Sequence, residues 1–295
     1  MERATSIREA FADFLDDKEY QGVRPWTIDF YRRNFEHFLK DTGVEVIGDV
    51  SESVIRSWLL AHRHVSEATL ATYDRSLRVT FNWFEKRGYV AVSPMANLPK
   101  RKTPRTVVDT FSRSELQEIM KIARGGRNPR RDVALVTLLL DTGVRIGEAT
   151  TLKLDDVNWK ESSLQVSGKT GPRVVPFGRR TKATLKAYID RERKAATPHI
   201  RQVFLTRSGC TLTPHGGTQQ VSAIVRQAGI KVRKKGPHTF RHTFAVEFIR
   251  AGGDAFSLQR LLGHSTLDMT RRYVHLADSD LREAHRKFAP ADAWL

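Results

Sequence analysis

A histidine and an arginine three residues apart form the most suggestive pair of side chains in the sequence. His238 and Arg241 would lie on one face of a helix, where an imidazole donor and a planar guanidinium can approach the same phosphate group. Such a pair is also common on helix surfaces that bind nothing. The pair alone leaves open both a phosphate site and an ordinary helix surface, and other residues must decide between them.

Patterns typical of ATP binding or of a metal centre are absent from the sequence. It has no glycine-rich phosphate loop, no Cys or His cluster with zinc spacing and no evident carboxylate cluster for magnesium. A protein that acts on phosphodiesters without a metal must neutralise the reacting phosphate with Arg, Lys and His, and a side chain can serve as nucleophile. We therefore expect no cofactor and no metal.

Further candidate residues flank the 238–242 segment in a fixed order. Arg145 lies in a Thr-Gly-x-Arg-x-x-Glu setting at 142–148, and Lys169 lies at a predicted β-turn. His264 follows a glycine, and Tyr273 comes nine residues after it. In this combination and order the sequence resembles the tyrosine recombinase family, also called phage-type integrases, and looks like a minimal two-domain member of the Xer type. The resemblance covers essentially the whole chain.

The resemblance implies that Tyr273 is the nucleophile. Its phenol would attack the phosphorus of the scissile phosphate and form a covalent 3′-phosphotyrosyl link to DNA. An unperturbed phenol has a pKa of about 10, so a base or a cationic environment must help to remove its proton. Without the neighbouring motifs, Tyr273 would be interpreted as a half-buried helix residue.

The resemblance also implies roles for five basic residues. Arg145 and Arg241 match the family's two arginines, whose guanidinium groups bind the non-bridging oxygens of the phosphate. His238 matches the position that assists proton transfer, and His264 matches the position that hydrogen-bonds the phosphate near the tyrosine. Lys169 matches the turn lysine that donates a proton to the departing 5′ oxygen. The alternatives are a capping or core role for each histidine and an ordinary turn role for the lysine.

Two other residues are expected to support this set. Glu148 lies three residues after Arg145, so it can orient that arginine in a salt bridge while the guanidinium still faces phosphate. His242 follows Arg241 directly and should point elsewhere on a helix, where it would buttress the site.

Helical spacing of apolar residues dominates the first part of the chain. Thr27, Ser51 and Ser66 are placed to cap the second, third and fourth of four helices. The aromatic residues recur at helical spacing, so we expect them in a core rather than in a base-stacking platform. The pattern predicts a four-helix unit over residues 1–98, and the resemblance implies that this unit is the core-binding, DNA-binding domain.

The rest of the chain predicts a basic, proline-containing linker at 99–108 and a second domain at 109–295, which the resemblance implies is catalytic. Ser112 and Glu115 form a capping box, and Gly143 ends a helix at 129–142. Short β-prone runs at 163–168 and 173–177 flank the turn that carries Lys169. Helical patterns follow at 181–196, 218–228, 238–251, 255–262 and 266–276. The expected fold class is mainly α with a small β-hairpin or sheet, the catalytic domain being α+β.

Charge and composition point to a polyanionic partner. The formal net charge is +17, of which residues 1–104 contribute +1 (16 basic, 15 acidic) and residues 105–295 contribute +16 (34 basic, 18 acidic). The chain is 40% hydrophobic and 28% charged, as in soluble globular proteins, and contains no apolar run long enough for a membrane span. The single cysteine excludes an internal disulfide, and no signal peptide is evident, so a reducing, cytoplasmic location is expected.

Candidate DNA contacts come from two regions. The linker is either a solvated connection or a strap along the DNA backbone, and the near-neutral first domain must use a local basic face. The predicted contacts are Lys100, Arg101, Lys102 and Arg105 in the linker, with Arg75 and Arg78 in the first domain.

The sequence-based hypothesis is a site-specific recombinase or integrase that exchanges DNA strands without ATP, because the protein–DNA link conserves the bond energy. Its partners would be double-stranded DNA with a specific recombination site and further subunits in a homo-tetramer or a heterotetramer with a related recombinase. The resemblance implies that the apolar tail at 277–295 docks on a neighbouring subunit, and the alternative is that it folds back in cis. The alternatives are a type IB topoisomerase-like DNA relaxase and a non-catalytic DNA-binding regulator.

Overall fold

The computed structural model describes residues 5–101, 109–168, 171–230 and 236–277. The chain divides into two compact units, Met1–Thr106 and Val107–Leu295. The boundaries at 98 and 109, and the DNA-binding role of the first domain, stay predictions. In the described part of the chain, no helix combines the length and the apolar character that a membrane crossing requires.

The described part of the first unit is helical. Ser51 and Ser66 accept hydrogen bonds from the backbone amides of the third residue after each, which confirms both predicted caps. The predicted cap Thr27 is wrong, because the second helix already begins at Pro25, a residue suited to the first helical position. The helices are α1 (Ile7–Tyr20), α2 (Pro25–Thr42), α3 (Glu52–Ala61) and α4 (Glu67–Lys86), with a 3-10 turn at Ile47–Asp49.

Aromatic side chains fill the core of the first unit. Phe11 and Phe35 stack with their ring centroids 4.1 Å apart, and Phe35 also contacts Phe38, Phe81 and Phe84. All five rings are buried. The expectation that these aromatics form a core is confirmed.

The second unit combines helices with a small antiparallel sheet of three strands, which lie side by side in sequence order. The predicted capping box of Ser112 and Glu115 is present, and Gly143 ends its helix in a left-handed conformation with a φ of 62°. The elements are α5 (Arg113–Gly125), α6 (Pro129–Thr142), α7 (Ile146–Thr151), a 3-10 turn (Leu154–Asp156), β1 (Val157–Asn158), β2 (Ser163–Gly168), β3 (Gly171–Pro176), α8 (Arg179–Arg191), α9 (Pro214–Gln227), α10 (Pro237–Arg250), α11 (Ala255–Leu262) and α12 (Asp268–Ala277). The predicted fold class, mainly α with a small sheet, is confirmed.

Several predicted boundaries shift. Strand β3 begins at Gly171 rather than at 173, because Gly168 pairs with Gly171 and the latter adopts a φ of 97° that suits a tight turn. Helix α8 ends at Arg191, five residues before its predicted end. Helix α9 begins at Pro214, because Thr213 caps it by accepting a hydrogen bond from the amide of Gly216.

Two apolar clusters organise the second unit. The larger one surrounds α6, whose residues Ala134, Leu135, Leu138 and Leu139 have no exposed surface. The smaller one joins α10, α11 and α12 and contains Ala245, Val246, Ile249, Leu258, Leu262 and Tyr273. The predicted nucleophile thus belongs to an apolar cluster built from the last three helices of the described chain.

Candidate active site

Arg145 and Glu148 form the predicted pair at the start of α7. Arg145 directly precedes the helix, and its backbone amide donates a 2.8 Å hydrogen bond to Glu148 Oε2. The Arg145 guanidinium donates through Nη1 to Glu148 Oε1 at 3.0 Å, and its side chain keeps 25% of its surface exposed. The carboxylate therefore orients Arg145 without burying it.

Arg173 on β3 completes this arrangement, and sequence reasoning missed it. Its Nη1 and Nη2 donate to Glu148 Oε1 and Oε2, each at 2.8 Å, while Nε donates to the carbonyl of Leu261 at 2.7 Å. In the sequence Arg173 was one basic residue within a β-prone run. Its place in a strand otherwise rich in apolar residues, just after the hairpin turn, was the available signal.

The environment of Glu148 holds it ionised. Burial by itself raises the pKa of the carboxyl group, but the hydrogen bonds from Arg173 and from the Arg145 amide, with the charges of both guanidinium groups, lower that pKa to about 2. The side chain is 3% exposed. Glu148 is thus a permanent anion at neutral pH that fixes two arginines.

The hairpin approaches this carboxylate closely at Gly168. A Cβ atom at position 168 would lie 2.3 Å from Glu148 Oε1, so only a glycine fits there. Lys169, the predicted general acid, follows Gly168 directly and lies outside the described residues. The structure therefore describes the strand residues on both sides of the predicted turn but not the lysine.

Arg241 reaches the same region from α10. Its Nη1 donates to the carbonyl of Gly143 at 2.8 Å, and its Nη2 donates to the carbonyl of Leu262 at 2.7 Å. Burial, and next the positive charge of Arg145, lower the pKa of Arg241 to about 10, so the guanidinium remains protonated at neutral pH. The charges of Glu148 and Arg173 also act on it, which places all four side chains in one electrostatic cluster.

Tyr273 lies next to two of the predicted histidines. A 2.8 Å hydrogen bond joins Tyr273 Oη and His242 Nδ1, and the rings of His264 and Tyr273 stack with their centroids 6.1 Å apart. His242 thus contacts the predicted nucleophile, because α12 brings the phenol to the face of α10 that His242 occupies. Its supporting role stays a prediction. His264 Nδ1 pairs with Thr270 Oγ1 at 2.9 Å.

The phenol is enclosed in this structure. Tyr273 has no exposed surface, and it shares its apolar cluster with Leu262, whose carbonyl binds Arg241. The phenol and the guanidinium cluster are therefore neighbours, linked through one residue of α11. His238 is exposed in the first turn of α10, three residues before Arg241.

An open depression of about 610 Å³ adjoins this cluster. It is lined by the start of β3, including Arg173, and by residues of the α11–α12 connection, including His264. Three guanidinium groups and one carboxylate give the cluster a formal charge of +2. That excess suits a phosphodiester, whose charge grows as a fifth oxygen approaches phosphorus.

The predicted DNA contacts of the first unit differ in their surroundings. Arg75 and Lys100 are exposed, whereas Arg101 forms a 3.6 Å ion pair with Glu67. Lys102 and Arg105 lie outside the described residues.

Arg78 is committed to the fold of the first unit. Its Nη1 donates to the carbonyl of Met95 at 2.6 Å, and its Nη2 donates to the carbonyl of Leu98 at 3.1 Å and to Asp74 at 3.3 Å. The side chain is 13% exposed. Arg78 therefore fastens the segment after α4, and we no longer expect it to contact DNA.

The chain is similar to recombinases in sequence and in fold. Residues 109–280 match the phage integrase family. The chain is 30% identical over 294 residues to the tyrosine recombinase XerC of Oceanobacillus iheyensis, covering 96% of this chain and 95% of the relative. It is 28% identical over 287 residues to the tyrosine recombinase XerD of Shewanella oneidensis, covering 94% and 95%. Its fold resembles that of the Tn1549 transposon integrase in complex with transposon right end DNA (TM-score 0.81, 20% identity, 98% of this chain and 100% of that chain).

Proposed function

Because the chain belongs to the phage integrase family, we propose that it is a site-specific tyrosine recombinase that cuts and rejoins double-stranded DNA. The reaction would proceed through a covalent 3′-phosphotyrosyl intermediate at Tyr273. The observation that carries the proposal is the cluster of Arg145, Arg173 and Arg241 around Glu148, beside the phenol.

The cluster supplies the electrostatic part of the reaction. A scissile phosphate carries one negative charge, and more charge develops on its non-bridging oxygens in the pentacoordinate transition state. Arg145 offers a partly exposed guanidinium for those oxygens. Because Glu148 and the protein backbone hold the arginines in place before DNA binds, little reorganisation is needed at the moment of reaction.

The chemical step exchanges one phosphoester for another. Tyr273 Oη forms a bond to phosphorus while the bond from phosphorus to the 5′ oxygen breaks. His242 Nδ1 lies 2.8 Å from the phenol, within reach of its proton, and we assign it the role of base in place of His238. Lys169 remains the proposed donor of the proton that the departing 5′ oxygen requires. A 5′ hydroxyl from another strand reverses these steps, so ATP is not consumed.

Release of the phenol must precede attack, because Tyr273 has no exposed surface. A displacement of α12 relative to α10 would bring Oη toward the guanidinium cluster, after the phenolic proton has passed to His242. DNA binding, or contact with a second subunit, supplies the free energy for that displacement in our proposal. The tail at 277–295 extends from α12 and would link the movement to assembly of four subunits on two DNA sites, all of one kind or with a related recombinase.

The family supports recombination over the two alternatives. The similar proteins named above are tyrosine recombinases or a transposon integrase, so neither a type IB topoisomerase-like relaxase nor a regulator is favoured. Arg75, Lys100 and Arg101 of the described chain, with Lys102 and Arg105, are the proposed phosphate contacts outside the active site.

Covalent trapping tests the proposal. The full chain would be incubated with fragmented genomic DNA from its source organism, and the protein-linked fragments would be sequenced. We expect one recurrent site with the wild type and with Tyr20→Phe, which alters an exposed tyrosine in α1, and no adduct with Tyr273→Phe. Adducts formed by Tyr273→Phe would refute the assignment of the nucleophile. A strand-transfer assay between two copies of the recovered site then distinguishes the two activities. A recombinase joins strands from different DNA copies, whereas a relaxase rejoins each strand to its original end.

A further inference from the structure

Three metal-binding side chains meet at the ends of α2 and α3 in the first unit. His37 and Asp41 lie one turn apart on α2, and His62 follows the last residue of α3. The Nε2 atoms of His37 and His62 each lie 3.2 Å from Asp41 Oδ2. The three atoms all lie within 4.8 Å of one another.

Hydrogen bonds to Trp58 orient the side chains of His62 and Asp41. His62 Nδ1 lies 2.8 Å from the carbonyl of Trp58, and a carbonyl can only accept, so the proton of the neutral ring must sit on Nδ1. The Trp58 indole N–H donates to Asp41 Oδ2 at 2.9 Å. Support of this kind, with the second imidazole nitrogen donating to a backbone carbonyl, is what metal-bound histidines show.

The same hydrogen bonds create an electrostatic conflict. With its proton on Nδ1, the neutral His62 ring turns the Nε2 lone pair toward a carboxylate oxygen that is also an acceptor. Two acceptors 3.2 Å apart repel each other unless a cation lies between them. A metal ion bound by both atoms would be such a cation.

The distances suit a tetrahedral ion. Zinc binds imidazole nitrogen and carboxylate oxygen at about 2.0–2.2 Å, so neighbouring ligand atoms in a tetrahedron are separated by about 3.3–3.6 Å. The two separations of 3.2 Å at Asp41 are close to that range. His37 and Asp41 are about one third exposed and His62 is 13% exposed, so the fourth position can hold a water molecule.

We propose that His37, Asp41 and His62 form a zinc site that fastens α2 to the end of α3. Two imidazoles and one carboxylate are a ligand set that zinc favours. The spacing explains why no zinc pattern is visible in the sequence: His37 and Asp41 are four residues apart, but His62 follows 21 residues later, across a turn and another helix. The site is separate from the proposed DNA chemistry, for which no metal is invoked.

Calorimetric titration of the tag-free, metal-free full chain with Zn²⁺ tests the site. We expect one ion per chain, and an affinity at least about 100-fold weaker in His37→Gln, Asp41→Asn and His62→Gln, because each removes one ligand. His64→Gln is the matched control, because His64 is exposed in the same surface depression but outside the ligand group. It should bind Zn²⁺ within about twofold of the wild type.

A second measurement guards against variants that fail to fold. Circular dichroism of each metal-free variant must match the wild type before its titration is compared. Co²⁺ added to the wild type should then give the absorption bands of a four-coordinate ion, and His62→Gln should not show them. The site would be overturned by the absence of stoichiometric Zn²⁺ binding, by equal affinity in the wild type and the three ligand variants, or by loss of binding in His64→Gln.

Discussion

Replacement of Glu148 by glutamine should remove a pH-dependent part of the stability of the second unit. The carboxylate accepts hydrogen bonds from the Arg145 amide and guanidinium and from both terminal nitrogens of Arg173. These contacts lower its pKa from 4.5 to about 2 in the folded chain. A lowered pKa means that the folded state binds the proton less readily than the unfolded state, so the stabilisation is present above pH 4.5 and is lost as the pH falls toward 2.

The size of the effect follows from the shift. One pKa unit corresponds to about 1.4 kcal/mol, so the ionised carboxylate contributes about 3 kcal/mol at pH 7. Linkage reduces this contribution to about 1.5 kcal/mol at pH 3, where the unfolded chain is largely protonated and the folded chain is not. The free energy of unfolding of Glu148→Gln should therefore fall below that of the wild type by a smaller margin at pH 3 than at pH 7.

Urea denaturation of the wild type and of Glu148→Gln at the two pH values measures that difference. Ionisable groups that the two proteins share affect both free energies of unfolding equally, so they cancel from the difference. Asp155→Asn is the control, because Asp155 pairs with Arg201 on the surface of the same unit, where solvent screens the interaction. Its effect should vary much less with pH than that of Glu148→Gln. An equal margin at pH 3 and pH 7 for Glu148→Gln would refute the lowered pKa and with it the view that Glu148 is a fixed anion.

Three further predictions concern two positions near Glu148 and one surface arginine of the first unit. Gly168→Ala should destabilise the second unit by about 1–3 kcal/mol, measured by urea denaturation, because its Cβ would overlap the active-site carboxylate, whereas Gly125→Ala meets nothing within 4 Å and should not. Arg173→Gln should slow covalent adduct formation by on the order of 10²-fold in single-turnover assays while leaving DNA affinity nearly unchanged. Arg75→Ala should reduce the salt dependence of DNA affinity by about one phosphate contact in fluorescence anisotropy, whereas Arg78→Ala should lower thermal stability instead.

Local features of the fold were predictable from the sequence because the interactions that create them are local. Ser51 and Ser66 cap helices through amides three residues away, and Gly143 ends α6 through its own backbone conformation. The candidate residues of the site could likewise be identified from their types and their order along the chain. The wrong prediction of a cap at Thr27 also has a local cause, because the helix begins at a proline two residues earlier.

Contacts between distant segments were not predictable. Arg173 binds a carboxylate 25 residues earlier in the chain, and its place in an apolar β-prone run did not indicate which residue it would bind. The contact of His242 with Tyr273, 31 residues later, depends on where α12 packs. The burial of Tyr273 depends on three helices together. Each of these features arises from tertiary packing. The spacing of apolar residues predicts where a helix forms but not which other segment it contacts.

Different forces hold the two halves of the proposed active site. Short, charge-assisted hydrogen bonds join Glu148 to Arg145 and Arg173, and Arg241 donates two buried hydrogen bonds to backbone carbonyls. Such a network resists displacement. Tyr273 is held by apolar contacts and by the hydrogen bond to His242, which together are worth about 2–4 kcal/mol for one aromatic side chain. That free energy is small enough for DNA phosphate contacts to supply. The phosphate site can therefore exist before DNA binds, whereas exposure of the nucleophile can be made conditional on binding.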